Sequence, residues 1–279
     1  MSVVAEIERR LAERRCEQVA APELRTSTMT HVVWAPPEWL PTARATYDGL
    51  HERHPARTIF LVPEAGRGPN VTLDALRVLD LSQEVYAELV ELRLRAAAAR
   101  QPSSVVRPLL IPDLPAFCRW RGDPRFETGQ LDDLACVVDR LVVDTREWRN
   151  PRRDLPELAR RFDRVAVSDI AFARLVPWRL RLAELWPGIR RIERLRVRGP
   201  RADALLLAGW LRSRLRRRVS LTRRDAAEVE AVWLDGAEVE PPREAAPAAS
   251  ELLSRQLDVY GRDRVYEASV VAAGRGRSG

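Results

Sequence analysis

The distribution of apolar residues in the first part of the chain predicts alternating helices and strands. Residues 1–20 carry apolar positions at helical spacing and predict a short amphipathic helix that ends around Pro22. Residues 31–35 and 58–62 are apolar runs that begin with His31 and Thr58, and residues 39–50 between them carry one apolar helical face. This order predicts a βαβ unit, whose parallel strands are covered by helices on both faces.

The residues that follow predict further strands of the same sheet. Residues 71–80 and 85–95 have strand-like patterns, although the second segment also fits a helix. Residues 116–120 and 137–143 are short apolar runs, and the second ends at Asp144. Loops at strand ends are where α/β proteins often build sites. The pattern therefore predicts an N-terminal, Rossmann-like domain with a mostly parallel sheet.

A second domain is predicted after a change in composition. Residues 146–165 are rich in Arg, Asp and Pro, and we place the boundary there. The predicted domains are an N-terminal α/β domain at 22–150 and a smaller C-terminal α+β domain at 151–272. Ser168-Asp169 predicts the N-cap of a helix.

The pattern of apolar residues is weaker in the second predicted domain than in the first. A helix is predicted after residue 169, with an apolar stripe of Leu175, Trp178, Leu182 and Leu185. Pro177 should kink or restart this helix. Residues 192–197 and 229–234 predict strands, and residues 204–215 predict a helix with one apolar face. Residues 240–250 form a Pro/Ala-rich linker before two short helices, and residues 272–279 are predicted to be disordered. The overall fold class is α/β.

Length and composition agree with a folded intracellular protein. The chain has 279 residues, of which 46% are hydrophobic, and a domain usually takes about 100–200 residues. The first residues mix charge with apolar positions, unlike a signal peptide. No apolar run approaches the ~18 residues of a membrane span. We therefore expect a soluble, cytoplasmic protein without a membrane partner.

The net charge of +7 raises the question of nucleic-acid binding. The chain contains no lysine, so all 47 basic residues are arginine, and they are interleaved with acidic residues. The densest cluster, residues 212–218, falls at the end of a predicted helix, where cations favour the helix dipole. A DNA-binding chain should combine a basic face with a recognisable motif. We expect no nucleic-acid partner.

The three cysteines do not predict a disulfide framework or a zinc site. They are odd in number, far apart and without a CxxC pair. Cys118 and Cys136 lie in apolar surroundings, which favours buried positions, whereas Cys16 lies among charges and is expected to be exposed.

Residues suited to catalysis are scarce. His51 and His54 are three positions apart, and the proline after His54 favours a capping or hydrogen-bonding role for that residue. A GxGxxG match at Gly274, Gly276 and Gly279 has no strand before it and no helix after it. No catalytic residue, metal site or cofactor is predicted.

Tryptophan is the unusual component of this sequence. Tryptophan and arginine are enriched at interface hot spots. Arg174, Trp178 and Arg181 lie within helical reach of one another and could form a cation–π group or a partner-facing patch. Most tryptophans are expected in the core, with Trp178 and Trp120 as the exceptions. The eight positions are Trp34, Trp39, Trp120, Trp148, Trp178, Trp186, Trp210 and Trp233.

Several ordered segments resemble the glucose-6-phosphate dehydrogenase assembly proteins (OpcA). They span about residues 25–215, and their order makes coincidence improbable. The segments are RTSTMTHVVWAPP (25–37), HPARTIFLV (54–62), LLIPDLPAFCRWRGDP (109–124), DRLVVDT (139–145), DIAFARLVPWRLRLAELW (169–186) and LLLAGWLRSRL (205–215). One departure is Arg119-Trp120, where the family carries two aromatic residues.

This resemblance implies a non-catalytic protein that binds glucose-6-phosphate dehydrogenase and promotes its oligomerisation or activity in the oxidative pentose phosphate pathway. The partner-binding residues that we select are Arg174, Trp178, Arg179 and Trp120. Further residues typical of the family, with roles left open, are His54, Arg57, Pro112, Asp113 and Asp144.

Two alternatives stay open at this level. The first is an α/β sugar-phosphate or nucleotide-binding domain, or an enzyme, with Arg57, Asp144 and Arg146 lining a site at the strand ends. The second is a nucleic-acid binder, which only the isoelectric point favours.

Overall fold

The computed structural model describes residues 3–18, 27–51, 53–82, 85–244 and 247–274. They divide into two compact units. The first comprises the described residues within Met1–Val143, Arg164–Ala166 and Leu253–Tyr260; the second comprises those within Asp144–Asp163, Val167–Leu252 and Gly261–Gly279. The predicted domains at 22–150 and 151–272 stay a proposal.

The larger sheet has seven strands in the order β3-β4-β2-β1-β5-β6-β7. β1 pairs in parallel with β2 and β5, β2 with β4, and β5 with β6, whereas β3 is antiparallel to β4. The prediction of a mostly parallel sheet is confirmed. The strands are β1 (Met29–Trp34), β2 (Ala56–Pro63), β3 (Val71–Ser82), β4 (Val85–Leu94), β5 (Ala116–Trp120), β6 (Arg140–Val143) and β7 (Ala166–Asp169).

Helices pack against strands of the first unit. β1 is buried along its whole length, as expected for a strand covered on both faces. Tyr47, in the helix predicted at residues 39–50, packs with Val33 and Phe60 in one core cluster. The helices are α1 (Val3–Gln18), α2 (Leu40–Asp48), α3 (Ala96–Arg100), α4 (Ser103–Val106) and α5 (Gln130–Ala135).

The second unit contains a four-stranded sheet in the order β11-β10-β8-β9. β10 is antiparallel to β8 and β11, and β8 is parallel to β9. Asp235 and Gly236, both with positive φ, form the two-residue turn between β10 and β11. The strands are β8 (Arg194–Arg198), β9 (Ser220–Arg224), β10 (Ala231–Leu234) and β11 (Ala237–Val239).

The helices after residue 150 follow the prolines and caps of the sequence. α7 ends at Arg174 and α8 restarts with Pro177 in its first turn, as predicted. α9 packs against α11 and α6. The bounds are α6 (Pro151–Ala159), α7 (Ile170–Arg174), α8 (Val176–Ala183), α9 (Arg201–Leu215), α10 (Ala249–Leu257) and α11 (Arg264–Gly274).

Some predicted elements differ from the structure. Residues 85–95 form a strand rather than the alternative helix. β6 begins at Arg140 rather than residue 137, since the turn after α5 takes up the preceding residues. The disorder predicted from residue 272 is wrong for 272–274, which complete α11, while 275–279 and Pro22 lie outside the described residues. No helix in the described ranges is long and apolar enough to cross a membrane.

Candidate functional site

A polar network in the second unit begins directly after β6. The carboxylate of Asp144 accepts a hydrogen bond from the backbone N–H of Arg146 (3.1 Å) and caps a 3₁₀ turn. Its other oxygen accepts from the guanidinium of Arg174 (3.2 Å). Two residues selected from the sequence, Asp144 and Arg174, are therefore brought together as an ion pair.

Asp169, at the end of β7, is the most fully engaged carboxylate of this network. It caps α7 through the N–H of Ala171 (2.9 Å), which confirms the predicted N-cap. It also accepts from the N–H (3.1 Å) and the hydroxyl (2.9 Å) of Thr145. The hydroxyl of Tyr266 donates to the same carboxylate at 3.2 Å. Four donors thus fix its position.

Burial changes the protonation of Asp169. Removal from water raises its pKa to about 7, and the nearby charge of Asp144 adds to this effect. The hydrogen bonds from Thr145 and Ala171 act in the opposite direction and do not offset burial. The raised pKa makes the stability of this unit depend on pH.

Replacing Asp169 with asparagine should remove a pH-dependent loss of stability. In the wild type, a pKa raised from 3.8 to about 7 means that the folded state binds a proton that the unfolded chain has released. The free energy of unfolding therefore falls as pH rises between these two values, by roughly 1.4 kcal/mol per unit of pKa difference. D169N should match the wild type only below about pH 4, and its advantage in urea unfolding should grow between pH 5 and pH 8.

The matched control for this prediction is Asp163→Asn. The side chain of Asp163 is 98% exposed, and its substitution should leave the difference between the two pH values as in the wild type. If D169N and the wild type lose stability in parallel between pH 5 and pH 8, the raised pKa of Asp169 is wrong.

Arg146 is fully engaged by two carboxylates of the second unit. Its Nε donates to Asp203 at 2.8 Å, and its Nη1 donates to Glu228 at 2.7 Å. Asp203 is completely buried. Arg146 thus ties the turn after β6 to the first turn of α9.

Arg57 is buried in the first unit with an acidic partner on each side. Its Nε donates to Glu88 of β4 and its Nη1 to Glu8 of α1, both at 2.6 Å. Its Nη1 also donates to the carbonyl of Leu109 (3.0 Å). These contacts make Arg57 a link between the sheet, α1 and the loop before β5.

The other family-typical residues of the first unit lie in turns and loops. His54 Nε2 is 2.7 Å from the hydroxyl of Ser254, which confirms the predicted hydrogen-bonding role. Burial lowers the pKa of His54, and Asp258 counteracts this in part. Pro112 and Asp113 form an exposed turn before β5, with Asp113 at a φ of 64° that aspartate tolerates.

The predicted exposure of Trp120 and Trp178 is wrong. Trp120 stacks on Trp34 with ring centroids 4.9 Å apart and is 1% exposed. Trp178 is 6% exposed, and its indole N–H donates to the carbonyl of Val229 at 3.2 Å. Both rings pack in the interior because the indole N–H of each finds a backbone acceptor there.

The cation–π contacts described in the second unit differ from the predicted group. Arg179 lies over the ring of Phe172, with 3.8 Å between Cζ and the ring centroid. Burial lowers the pKa of Arg179 to about 10. Arg181 instead donates to Glu184 (2.9 Å) and Glu240 (2.7 Å). The contacts of Arg179 hold α8 against α7.

Sequence reasoning missed an exposed apolar surface on and after α8. Leu180 and Trp186 are 62% and 60% exposed, and Val176 is 40% exposed. Val176 and Leu180 are four residues apart and share one helix face. We call Val176, Leu180 and Trp186 the α8 patch. The helical spacing could have indicated this surface, because Val176 and Leu180 lie on the face of α8 opposite the predicted apolar stripe.

The cysteines follow their predicted burial in two of three cases. Cys118 is buried, and burial raises the pKa of its thiol to about 12. Cys16 is exposed as expected, whereas the predicted burial of Cys136 is wrong, because this residue ends α5 at the surface. Within the described ranges, no group of three or more His, Cys, Asp and Glu residues could hold a metal ion.

Together, these features define an α/β protein of two units, with an ion-paired interior and an apolar patch on the second unit. The domain family described as "Glucose-6-phosphate dehydrogenase subunit N-terminal domain" matches residues 48–160, and the corresponding C-terminal domain family matches residues 165–246. The two matches cover more than half of the chain. The chain belongs to the OpcA family of glucose-6-phosphate dehydrogenase assembly proteins.

Two relatives carry the same family name. The chain is 30% identical over 183 residues to "Putative OxPP cycle protein OpcA" of Synechocystis sp., a match that covers 60% of this chain and 38% of the relative. The protein of the same name from Nostoc punctiforme is 28% identical over 183 residues, with 60% of this chain and 39% of the relative covered. The chain spans about two fifths of the length of these curated relatives.

Proposed function

We propose that the protein is a non-catalytic, cytoplasmic assembly protein that binds glucose-6-phosphate dehydrogenase and promotes its oligomerisation or activity. The observation that carries this proposal is the match of both domain families, each described as part of a glucose-6-phosphate dehydrogenase subunit. The ion-paired arginines and carboxylates of both units agree with a structural rather than a catalytic use of these charges.

The α8 patch is the surface that we propose for contact with the dehydrogenase. Tryptophan is among the residues most enriched at interface hot spots, and burial of an exposed leucine contributes through its apolar area. Trp186 combines high exposure with a position in the turn that follows α8. Trp186 and Leu180 are the two most exposed large hydrophobic residues of the described chain.

Within this proposal, Arg174, Trp178 and Arg179 act on partner binding indirectly. Trp178 lies on the buried face of α8, and Arg179 holds α8 to Phe172 of α7. Arg174 ends α7 and pairs with Asp144. These three residues fix the helix whose opposite face carries the α8 patch. Trp120 is buried in the first unit, and we leave it out of the contact surface.

Mixing the protein with the dehydrogenase from the same organism should give a larger complex and faster NADPH formation. Trp186→Ala should weaken the complex at least ~30-fold, because hot-spot tryptophans contribute about 2 kcal/mol or more. Leu180→Ser should act in the same direction. Light scattering coupled to gel filtration measures the size of the complex, and a titration of NADPH formation gives the apparent affinity.

Val271→Ser is the matched control for these variants. Val271 is 40% exposed on α11, outside the α8 patch. This change removes a comparable apolar side chain and should leave the affinity as in the wild type. If both proteins are folded and no complex forms, the proposed function is wrong. If the complex forms and W186A binds normally, only the assignment of the α8 patch is wrong.

A further inference from the structure

A pocket of about 360 Å³ in the second unit is lined by four arginines. Arg146 and Arg149 come from the segment after β6, Arg201 begins α9, and Arg223 belongs to β9. The volume falls within the ~300–1,000 Å³ typical of small-molecule sites. Three separate parts of the chain thus bring guanidinium groups to one concave surface.

Two of these arginines are neutralised by neighbouring carboxylates. Arg146 is held by Asp203 and Glu228, as described above. Arg223 donates to Asp225, which also lines the pocket, and to the carbonyl of Gly199 at 3.1 Å. These ion pairs fix the walls of the pocket, and the carboxylates cancel much of the positive charge of Arg146 and Arg223.

Arg201 differs from these two arginines. Among the residues that the structure describes, none forms a hydrogen bond or an ion pair with its exposed side chain, although its charge contributes to lowering the pKa of Asp225, for which the hydrogen bond from Arg223 is the main cause. Its exposed guanidinium is therefore available to a ligand of the pocket.

The backbone of α9 adds a second cationic element to the same pocket. The helix has 15 residues, and Pro200, at its N-cap, provides no side-chain cap for the first-turn N–H groups. Pro200, Arg201 and Ala202 all line the pocket. The first-turn N–H groups of a helix have no intrahelical acceptor, and the helix dipole places partial positive charge at this end.

We propose that this pocket binds the dianionic phosphate group of a small phosphate monoester. The fork of the Arg201 guanidinium and the first-turn amides of α9 match the several acceptor oxygens of a phosphate group. Arg149, from the segment after β6, adds positive charge to the lining. Arg146 and Arg223 keep their carboxylate partners and position the walls. The rest of the cavity holds the organic part of the ligand.

The test measures binding to the complete chain by isothermal titration calorimetry at constant ionic strength, without the dehydrogenase. The probes are inorganic phosphate and glycerol 2-phosphate, with acetate as a monoanion for comparison. Both phosphates should bind saturably at one site, and acetate should not. Arg201→Ala should weaken binding about tenfold or more, because it removes charge-assisted hydrogen bonds without breaking a contact of the fold.

Arg224→Ala is the matched control variant. Arg224 is exposed, follows Arg223 on β9 and does not line the pocket, since successive strand residues point to opposite faces. This change removes the same charge and should leave the affinity as in the wild type. Equal weakening by R201A and R224A would show a non-specific charge effect and overturn the proposal. Absence of saturable binding of both phosphates to the wild type would overturn it as well.

Inorganic phosphate and the monoester separate two sources of the ligand. Equal affinities support recognition of the phosphate group alone, and tighter binding of the ester supports a contribution from the rest of the cavity. Because the dehydrogenase is absent from this titration, a negative result leaves the proposed assembly function intact.

Discussion

Replacing Gly209 with alanine should destabilise the second unit by about 3 kcal/mol or more, although the change adds a single methyl group. A Cβ atom at this position would lie 2.1 Å from the backbone oxygen of Ser269, and 2.9 Å from the Cβ of Ala273. Both neighbours belong to α11, which packs against α9 at this point. Since the nearest atom is backbone, relief requires a shift of the whole helix.

The displacement should extend beyond the contact itself. α11 carries Tyr266, whose hydroxyl donates to the buried carboxylate of Asp169. Moving the helix away from α9 therefore weakens one of the four hydrogen bonds that hold Asp169. Urea unfolding followed by circular dichroism measures the loss of stability, and hydrogen exchange shows whether the amides of α9 and α11 lose protection together.

Gly188→Ala provides the matched control for this variant. A Cβ atom at Gly188 would have nothing within 4 Å, and the backbone there does not require positive φ. Its effect should stay within ~0.5 kcal/mol, as for other exposed substitutions. Equal midpoints for G209A and G188A would show that α9 and α11 are not in the close contact described.

The parallel sheet could be predicted from the sequence because both faces of its strands are covered. Residues 32–35 and 59–62 are therefore apolar at every position, and the helical pattern between them completes a βαβ unit. β9 and β11 were missed for the opposite reason. β9 has the sequence SLTRR, in which exposed and partly buried positions alternate, and β11 has three residues. Neither leaves a pattern that stands out from a loop.

The polar network could be predicted only in part. The N-cap at Asp169 is a local property and was found, but the hydroxyl that completes its contacts comes from Tyr266, 97 residues further on. No spacing rule connects two such positions. The exposed face of α8 could have been predicted, because a stripe through Leu175, Trp178 and Leu182 leaves Val176 and Leu180 on the opposite face. Exposure was wrongly predicted for Trp178, because its residue type was given more weight than its position on the helix.

Replacing Arg57 with methionine should cost about 3–5 kcal/mol, the second large effect expected in this protein. Arg57 and Glu88 are 3% and 1% exposed and 2.6 Å apart. Removal of one partner leaves the other charge buried without full compensation, which is far more costly than loss of an exposed ion pair. Arg15 of α1 still donates to Glu88 at 2.7 Å and retains part of the compensation. Urea unfolding measures the difference.

The control for this prediction lies on α1. Arg9 pairs with Glu6 and Glu13 at exposed positions, and Arg9→Ala should change the free energy of unfolding by less than ~1 kcal/mol. A similar small cost for Arg57→Met would mean that the interior pair is hydrated and contributes no more than a surface pair.

A double variant separates a structural role of Arg57 from a direct role in binding. Arg57→Met combined with Glu88→Leu replaces the buried charges by apolar side chains, and such replacements recover much of the stability lost on breaking a pair. If Arg57 only links β2, β4 and α1, the refolded double variant should bind the dehydrogenase with wild-type affinity. If Arg57 contacts a ligand or the partner, stability should return while binding stays weak. The buried position of Arg57, with carboxylates on two sides and a carbonyl as a third acceptor, leads us to expect the first result.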